Sequence, residues 1–458
     1  LSQVSHAERT ENINAQCAVH IHSIDTVKTS SVSILPKQGW ESVDLPDQWN
    51  KRWPNYNGGV WYKIQWSWSC QNQARLAEPI AFLIHYINSA GAVYLNGDLL
   101  WKDKHLQEPL SKSWNMPRYW ILPISGLNSG ENEILIYVNG LAFQSPGIGQ
   151  ISFNNVQNIY ESYQSQVWNR RTLFLINLIL SITFGVICFV IWLLRRKEST
   201  FGWFALSSFL WVLFISNILS TETFPYPNVL IAAQANLAFF VLYVLSFCIY
   251  LFRFIQKHFI KVETVFGGMT GLIIAGIFLT PQQSVYWVFG LIFLIYVGVF
   301  LGGYLYVCYQ AIQSKRTDYI FLAICLSAIV IFMIFDLLLL SGEIVTDVRP
   351  LSPYTGPVIT FFMVIILGSR LARNVKKIEA FNAQLEMKVQ QVSNDLSSSL
   401  NEKHQLELKN VKLQERISLS HDLHDGLGAS LVRSMILVDQ SAHNISNKQF
   451  LVVFQKVC

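Results

Sequence analysis

The residues best suited to chemistry lie near the end of the 458-residue chain, where His424 is followed by Asp425, Gly426 and Gly428. A carboxylate beside an imidazole can hold its Nδ1–H, which fixes the tautomer and leaves Nε2 free as a nucleophile. Each glycine costs a helix about 1 kcal/mol, and the missing side chains let another domain approach the imidazole. His421, three residues earlier, lacks the following Asp-Gly pair.

These residues belong to a predicted helix with one apolar stripe, because leucines recur at positions 419, 423, 427 and 431. His424 lies about 100° around the helix from Leu423, beside the stripe. Upstream, apolar residues recur every three or four positions, and no Pro or Gly interrupts residues 371–425. This pattern predicts a cytoplasmic coiled coil over 371–414, in a parallel dimer. The alternative is an amphipathic helix packed on its own domain.

The segment from Glu415 to Leu431 (ERISLSHDLHDGLGASL) resembles the phosphoacceptor and dimerisation helix of sensor histidine kinases. The subfamily pattern is E-R-x-x-I-x-x-x-L-H-D-x-x-G-x-x-L. The resemblance implies that His424 accepts phosphate from ATP, with Asp425 as general base, and passes it to a response regulator. ATP and Mg²⁺ are the cofactors that it implies for a complete kinase. Ala429 stands where the family often has the Gln or Asn used in dephosphorylation.

The sequence after Ser441 predicts no nucleotide site. It holds 17 residues and no Gly-rich loop, whereas an ATP-binding domain needs on the order of 100 or more. We therefore expect a kinase truncated before its catalytic domain, with no cofactor-binding residues of its own. No Cys/His spacing matches a zinc site, so we predict no metal site.

The predicted cytoplasmic helix follows a series of predicted membrane spans. Hydrophobic residues make up 52% of the chain and charged residues 14%, which excludes a disordered chain and a purely soluble enzyme. A net charge of +5 over this length gives no case for nucleic-acid binding. Apolar runs long enough to cross a bilayer predict a seven-helix transmembrane bundle. They lie at 173–194, 201–219, 230–252, 264–280, 285–307, 319–341 and 353–369.

The distribution of Lys and Arg predicts the orientation of these spans. Basic residues cluster at 195–197, 253–261, 315–316 and 370–377, whereas the alternate loops 220–229, 281–284 and 342–352 contain only Arg349. The positive-inside rule then places residues 1–172 outside a bacterial inner membrane and residues 371–458 in the cytoplasm. The chain begins at Leu1 without an apolar signal segment, so we expect a removed secretory signal or an incomplete sequence.

Asp336 is the one acidic residue inside a predicted span. An intramembrane carboxylate is a candidate functional site. The alternative, which we favour, is a hydrated or hydrogen-bonded group near the outer end of the sixth span, since a single acid makes no proton relay. A transporter is disfavoured by the low intramembrane charge and the long cytoplasmic helix.

Residues 32–155 predict an all-β sandwich, because short runs of β-branched and aromatic residues alternate with turn sequences such as Asn96-Gly97-Asp98. The sequences 59–62 (GVWY), 93–97 (VYLNG) and 127–138 (LNSGENEILIYV) resemble the jelly-roll, galactose-binding-like domain of β-galactosidases and their relatives. The resemblance implies that fold, with a carbohydrate or another small molecule as its ligand. Most of the tryptophans there are expected in the core. The sequence allows a disulfide between Cys17 and Cys70 without requiring it.

The whole arrangement resembles the bacterial seven-transmembrane receptors with diverse intracellular signalling modules. It predicts a homodimeric transmembrane sensor histidine kinase that responds to an extracytoplasmic ligand. A non-catalytic receptor or scaffold that acts through a partner kinase is the alternative. The predicted parts are a lead-in at 1–31, a sensor domain at 32–168, the membrane domain at 169–370, the coiled coil at 371–414 and the phosphoacceptor segment at 415–458.

Overall fold

The computed structural model describes residues 9–13, 17–70, 79–341 and 350–442. Predictions that fall on other positions lie outside the described residues; these include part of the lead-in, Arg349 and the phosphoacceptor segment beyond 442. The chain divides into two compact units, residues 1–369 and 370–458. The first contains a β-sheet domain followed by membrane-type helices, and the described part of the second is helical.

Thirteen strands within the described residues form three sheets, which we call together the sheet domain (residues 9–155). They are β1 (Arg9–Asn12), β2 (Cys17–Thr29), β3 (Glu41–Ser42), β4 (Asp47–Gln48), β5 (Gly58–Cys70), β6 (Ile80–Ile84), β7 (Ile87–Asn88), β8 (Ala90–Leu95), β9 (Asp98–Lys102), β10 (Arg118–Ile121), β11 (Glu131–Gly140), β12 (Gly147–Ile148) and β13 (Ile151–Asn155). The largest sheet has the order β1-β2-β5-β11-β8-β9 with β3 beside β2, and the smaller ones are β10-β6-β13 and β4-β12-β7.

The core of the sheet domain forms where the large sheet meets the β10-β6-β13 sheet. Alternate residues of β5, including Tyr62, Ile64 and Trp66, are fully buried. The Trp66 ring lies 4.7 Å from the ring of Phe153 on β13, centroid to centroid. Apolar alternation on β5 and β11 thus gives one shared core, and the prediction of an N-terminal β domain is confirmed.

The predicted start of that domain at residue 32 is too late. Residues 9–12 and 17–29 are strands β1 and β2, and β2 pairs along its length with β5. Cys17, Val19 and Ile21 are buried on one face of β2. His20 and His22 are the polar positions that alternate with Val19 and Ile21, and a β-bulge between Ile21 and Ser23 shifts the phase of that pattern.

Eight helices follow in the described residues. They are α1 (Val156–Val167), α2 (Leu173–Leu194), α3 (Ser199–Leu219), α4 (Val229–Phe254), α5 (Ile260–Leu279), α6 (Val285–Ser314), α7 (Thr317–Ser341) and α8 (Thr355–Ala442). A π-helical turn, Trp168–Thr172, joins α1 to α2.

Seven helical segments in the described residues are long and apolar enough to cross a membrane, which confirms the predicted multi-pass character. Prolines and polar residues end the helices where the sequence predicted; Asn228, after Pro225 and Pro227, caps α4 by accepting a hydrogen bond from the Ile231 amide. α4 is mostly buried, whereas the other helices expose many apolar side chains, as expected of surfaces that face lipid.

The described part of the second unit, residues 370–442, belongs to the long helix α8. Every residue from 371 to 427 is exposed. No Pro or Gly occurs between residues 371 and 425, which favours an unbroken helix over that part of α8.

Candidate functional sites: an exposed histidine and a domain junction

His424 and Asp425 lie side by side on the surface of α8. Their side chains are 86% and 78% exposed, and the His424 Nδ1 atom lies 3.6 Å from the Asp425 Oδ1 atom. This separation is longer than a hydrogen bond, but Nδ1 is the ring nitrogen that faces the carboxylate. A small side-chain adjustment would make the predicted contact and leave Nε2 in solvent. His421 is also exposed on the same helix.

The surface around His424 is open. A Cβ atom added at Gly426 or Gly428 would have no neighbour within 4 Å. Both glycines lie in the interior of α8, so neither terminates the helix. Neither packs against another element within the described residues. Each glycine lowers the stability of the helix by about 1 kcal/mol, and no contact among the described residues compensates for this loss.

The leucine stripe beside His424 is exposed. Leu419, Leu423, Leu427 and Leu431 are between 56% and 66% exposed. A continuous apolar row along a helix in water marks an interaction surface.

A buried charged network lies inside the sheet domain, in the loop between β9 and β10. Asp103 is 8% exposed and accepts hydrogen bonds from the Ser113 hydroxyl (2.7 Å) and the Gly91 amide (2.8 Å). The Arg118 guanidinium lies 3.3 Å from Asp103 and over the Trp101 ring. Burial raises the pKa of Asp103 above its ordinary value, against the opposing effects of Arg118 and the hydrogen bonds. Burial lowers the pKa of Arg118 to about 10, so it stays protonated at neutral pH.

The same loop, residues 103–117, attaches the sheet domain to α3 and α4, and we call it the junction loop. The Lys112 amide donates to the Thr221 carbonyl, and the Lys112 ammonium donates to the Asn217 amide oxygen, both at 2.7 Å. The Ser111 hydroxyl lies 3.1 Å from a Glu222 carboxylate oxygen. Lys112 is buried, and burial lowers its pKa.

Two further contacts close this junction. Leu110, Ala90 and Val229, the first residue of α4, pack in one apolar cluster. The Arg171 guanidinium donates to the Leu219 carbonyl at the end of α3 (3.0 Å). The junction loop therefore links the core of the sheet domain to the ends of two membrane-type helices.

A buried polar contact lies between α2, α3 and the start of α8. The Asn177 amide nitrogen donates to the Thr355 hydroxyl (3.0 Å), and its oxygen accepts from the Trp211 indole (3.2 Å). Asn177 is fully buried, and a Cβ at Gly356 would lie 2.6 Å from its side chain. The glycine thus lets α8 approach α2 closely. We call Asn177, Trp211 and Thr355 the Asn177 node.

Asp336 accepts hydrogen bonds from the amides of Leu351 and Ser352, at 2.6 and 2.8 Å. It therefore satisfies backbone donors just before α8, in agreement with the hydrogen-bonded interpretation of this acid. Cys17 and Cys70 face each other on β2 and β5 and form a disulfide. No group of three His, Cys, Asp or Glu side chains that could hold a metal occurs among the described residues.

Sequence reasoning missed the junction loop and the Asn177 node. The junction joins residues about a hundred positions apart, such as Lys112 and Asn217. A contact between residues so far apart in sequence cannot be predicted from a local pattern. Asn177 did give a signal, because it is a polar residue within the apolar run LFLINLIL.

No protein-family model and no curated protein matches the chain. Solved structures with local similarity include a β-D-glucuronidase for Dictyoglomus thermophilum, with 19% identity over 28% of this chain and 20% of that chain and a TM-score of 0.20. The Faecalibacterium prausnitzii β-glucuronidase has 14% identity over 28% and 22%, with a TM-score of 0.21. A Bifidobacterium dentium β-glucuronidase complexed with coumarin-3-O-glucuronide has 16% identity over 29% and 22%, with a TM-score of 0.22. The chain thus covers about a fifth of the length of these structures. Similarity at this level assigns neither a fold nor an activity.

Proposed function

We propose that the protein is the sensing and phosphoacceptor part of a transmembrane histidine kinase of a two-component system. In this proposal His424 receives the γ-phosphate of ATP and passes it to an aspartate of a response regulator. ATP and Mg²⁺ are bound by an ATP-binding domain that acts in cis or in trans. The protein functions as a homodimer in a bacterial inner membrane.

The observation that carries the proposal is the exposed His424–Asp425 pair beside an exposed leucine stripe. A phosphoacceptor must be reached by two other domains in turn, and an imidazole that is 86% exposed next to two glycines meets that requirement. Asp425, 3.6 Å from Nδ1, is placed to favour the tautomer in which Nε2 is the nucleophile. General-base assistance of this kind usually contributes about 10²–10⁴-fold to a rate.

The sheet domain is the proposed extracytoplasmic sensor, with a jelly-roll fold and a carbohydrate or another small molecule as its ligand. Two routes lead from it to α8. One passes from β13 through α1 and α2 to the Asn177 node. The other passes through the junction loop to α3, whose Trp211 belongs to the same node. Residues 371–414 of α8 are the proposed parallel coiled coil, with the leucine stripe continuing the dimer contact past His424.

The proposal is tested on the full chain in detergent, supplied with radiolabelled ATP and the ATP-binding domain of a related kinase. We expect acid-labile, alkali-stable phosphate, as for phosphohistidine. His424→Gln should abolish the label, whereas His421→Gln, a matched exposed histidine one turn away, should keep most of it.

Two results would contradict the proposal. Label that persists in His424→Gln would place the acceptor elsewhere. A wild-type chain that takes up no label would instead favour the alternative, a non-catalytic receptor or scaffold.

A further inference from the structure

Two grooves lie on the exposed surface of the membrane-type helices, at the helix ends that carry basic clusters. The first has a volume of about 490 Å³ and lies between α5 and α6, beside Cys248 and Phe252 of α4. The second has a volume of about 350 Å³ and lies between α6 and α7. We call them the α5–α6 groove and the α6–α7 groove. Their linings are mainly apolar and include exposed side chains such as Val265 and Ile312.

The α5–α6 groove has about the length of one leaflet of a bilayer. It runs along α5 from Lys261 to Met269. Just beyond it the helices are in contact, because the Tyr296 hydroxyl of α6 lies 2.8 Å from the Thr270 hydroxyl of α5 and both residues are buried. Thr270 is nine residues from Lys261, about 13 Å at about 1.5 Å per residue. One leaflet of a hydrocarbon core of about 30 Å is about 15 Å thick. A lipid acyl chain fits a groove of this length, whereas a membrane-crossing helix would extend beyond it.

The α6–α7 groove repeats this arrangement. Its lining includes Lys315, directly after α6, and extends along α7 to Ser327. The Ser327 hydroxyl lies 3.0 Å from the Tyr304 hydroxyl of α6. Ser327 is ten residues from Thr317, the first residue of α7, again about 15 Å. Both grooves thus have a lysine at the mouth and a tyrosine contact at the deep end.

The lysines at the two mouths are unpaired. Lys261 and Lys315 are exposed, and neither side chain makes a hydrogen bond or an ion pair within the described residues. Each is the one charged group of its groove lining that the structure describes. Both ammonium groups are therefore free to bind an anion.

The acidic residues nearest in sequence to these lysines are already neutralised. Arg253 donates two hydrogen bonds to the Glu263 carboxylate, at 2.7 and 2.6 Å, and both side chains are largely buried. The Arg316 guanidinium lies 3.2 Å from the Asp318 carboxylate. The arginines thus pair with the acids, and the mouths of the grooves keep a positive charge.

The positive-inside rule accounts for basic residues at these helix ends. It does not account for an apolar groove that begins at an unpaired lysine in two separate places. A basic residue at the end of a pocket between membrane helices is the arrangement that recognises acidic lipid headgroups, and a lysine binds a phosphate as a point charge.

We propose that each groove binds a phospholipid with an anionic headgroup. One acyl chain lies in the groove, and the headgroup phosphate binds Lys261 in the α5–α6 groove and Lys315 in the α6–α7 groove. The inference requires that the helices cross a membrane and is independent of the proposed kinase function.

The test is a titration of the full chain, in a neutral detergent, with dioleoyl-phosphatidylglycerol or dioleoyl-phosphatidylcholine. The two lipids have the same acyl chains and differ in net headgroup charge, and native mass spectrometry counts the bound molecules. We expect two phosphatidylglycerol molecules per chain, bound about fivefold or more tighter than phosphatidylcholine. Lys261→Gln and Lys315→Gln should each weaken the binding of one of the two by about fivefold, the effect of one basic residue near an anionic lipid surface. Lys197→Gln, at an exposed residue of another basic cluster that lines neither groove, should leave both unchanged.

A variant that keeps the charge tests the groove itself. Val265→Trp places a large ring in the α5–α6 groove and should weaken the binding of one phosphatidylglycerol molecule, as Lys261→Gln does. Leu272→Trp adds the same ring at an exposed position of α5 outside the groove and should have no effect.

Equal affinity for the two lipids, unchanged binding in both lysine variants, or an equal loss in Lys197→Gln would overturn the inference. Unchanged binding in Val265→Trp would overturn it as well, because Lys261 would then bind lipid without the groove.

Discussion

The sheet domain of the first unit and the described helix of the second unit differ in which side chains they bury. In the first unit even a charged residue is buried, since Asp103 is 8% exposed and is paired with Arg118 and two further hydrogen-bond donors. In the second unit even a leucine is exposed, since Leu423 is 60% exposed. The sheet domain thus buries and pairs this charged group, whereas the described helix of the second unit leaves an apolar stripe exposed, as many interaction surfaces do.

The largest expected effect concerns the buried pair of the first unit. Asp103→Ala leaves Arg118 buried without its counterion, and removal of one partner of a buried pair costs about 3–5 kcal/mol. A fall in the unfolding temperature, followed by tryptophan fluorescence of the full chain, measures this cost.

Asp98→Ala is the matched control, because Asp98 is an exposed acid on β9. It should change the stability by no more than about 0.5 kcal/mol. Equal stability of the two variants would show that the Asp103 network does not hold the junction loop.

The disulfide should have a comparable effect on the same unit. Cys17 and Cys70 are 53 residues apart, and closure of a loop of that length stabilises a fold by about 4 kcal/mol in the chain-entropy model. Cys17→Ser should therefore lower the unfolding temperature strongly, and Cys308→Ser, at a free cysteine, should not. A Cys17→Ser variant as heat-stable as wild type would contradict this.

A smaller effect is expected at the Asn177 node. Hydrogen bonds between membrane helices contribute about 0.6–2 kcal/mol, so Asn177→Ala should reduce thermal stability modestly. Thr183→Ala on the same helix, whose hydroxyl bonds only to the Ile179 carbonyl one turn earlier, is the control. The node also lies between the sheet domain and α8, so Asn177→Ala should change the amount of label on His424. Unchanged labelling would remove the node from the signalling route.

The smallest effect is a pH dependence. The pKa of Asp103 is raised in the folded state because of burial, so the folded chain holds this proton at a pH where the unfolded chain has released it. The part of the stability that depends on this proton is then fully present below the ordinary pKa of 3.8 and is lost as the pH rises through the raised value, whereas the contacts of the carboxylate with Arg118 and Ser113 remain. Asp103→Asn should remove that part of the pH dependence. Equal pH profiles for the variant and wild type would contradict it.

The membrane helices could be predicted from the sequence because length and apolarity alone decide them. The predicted spans 173–194 and 201–219 correspond closely to α2 and α3. Strand β2 was not predicted, although His20 and His22 alternate with the buried Val19 and Ile21; a β-bulge between Ile21 and Ser23 shifts the phase of this alternation. The prediction that His424 is a phosphoacceptor rests on its neighbours in sequence and stays a prediction. The junction loop could not be predicted, because Lys112 contacts Asn217 only when the sheet domain and α3 have folded and come together.

Whether α8 pairs with a second copy of itself is decided most directly by cysteine cross-linking in membranes. The free cysteines and Cys458 are first replaced by serine, and Cys17 and Cys70 are kept. Leu423→Cys is compared with Ser418→Cys, which lies about 140° around the same helix. We expect mild oxidation to cross-link the chain through position 423 and not through position 418, because a disulfide needs Cα atoms within about 7 Å. Cross-linking through 418 alone, or through neither position, would contradict a dimer formed along the leucine stripe beside His424.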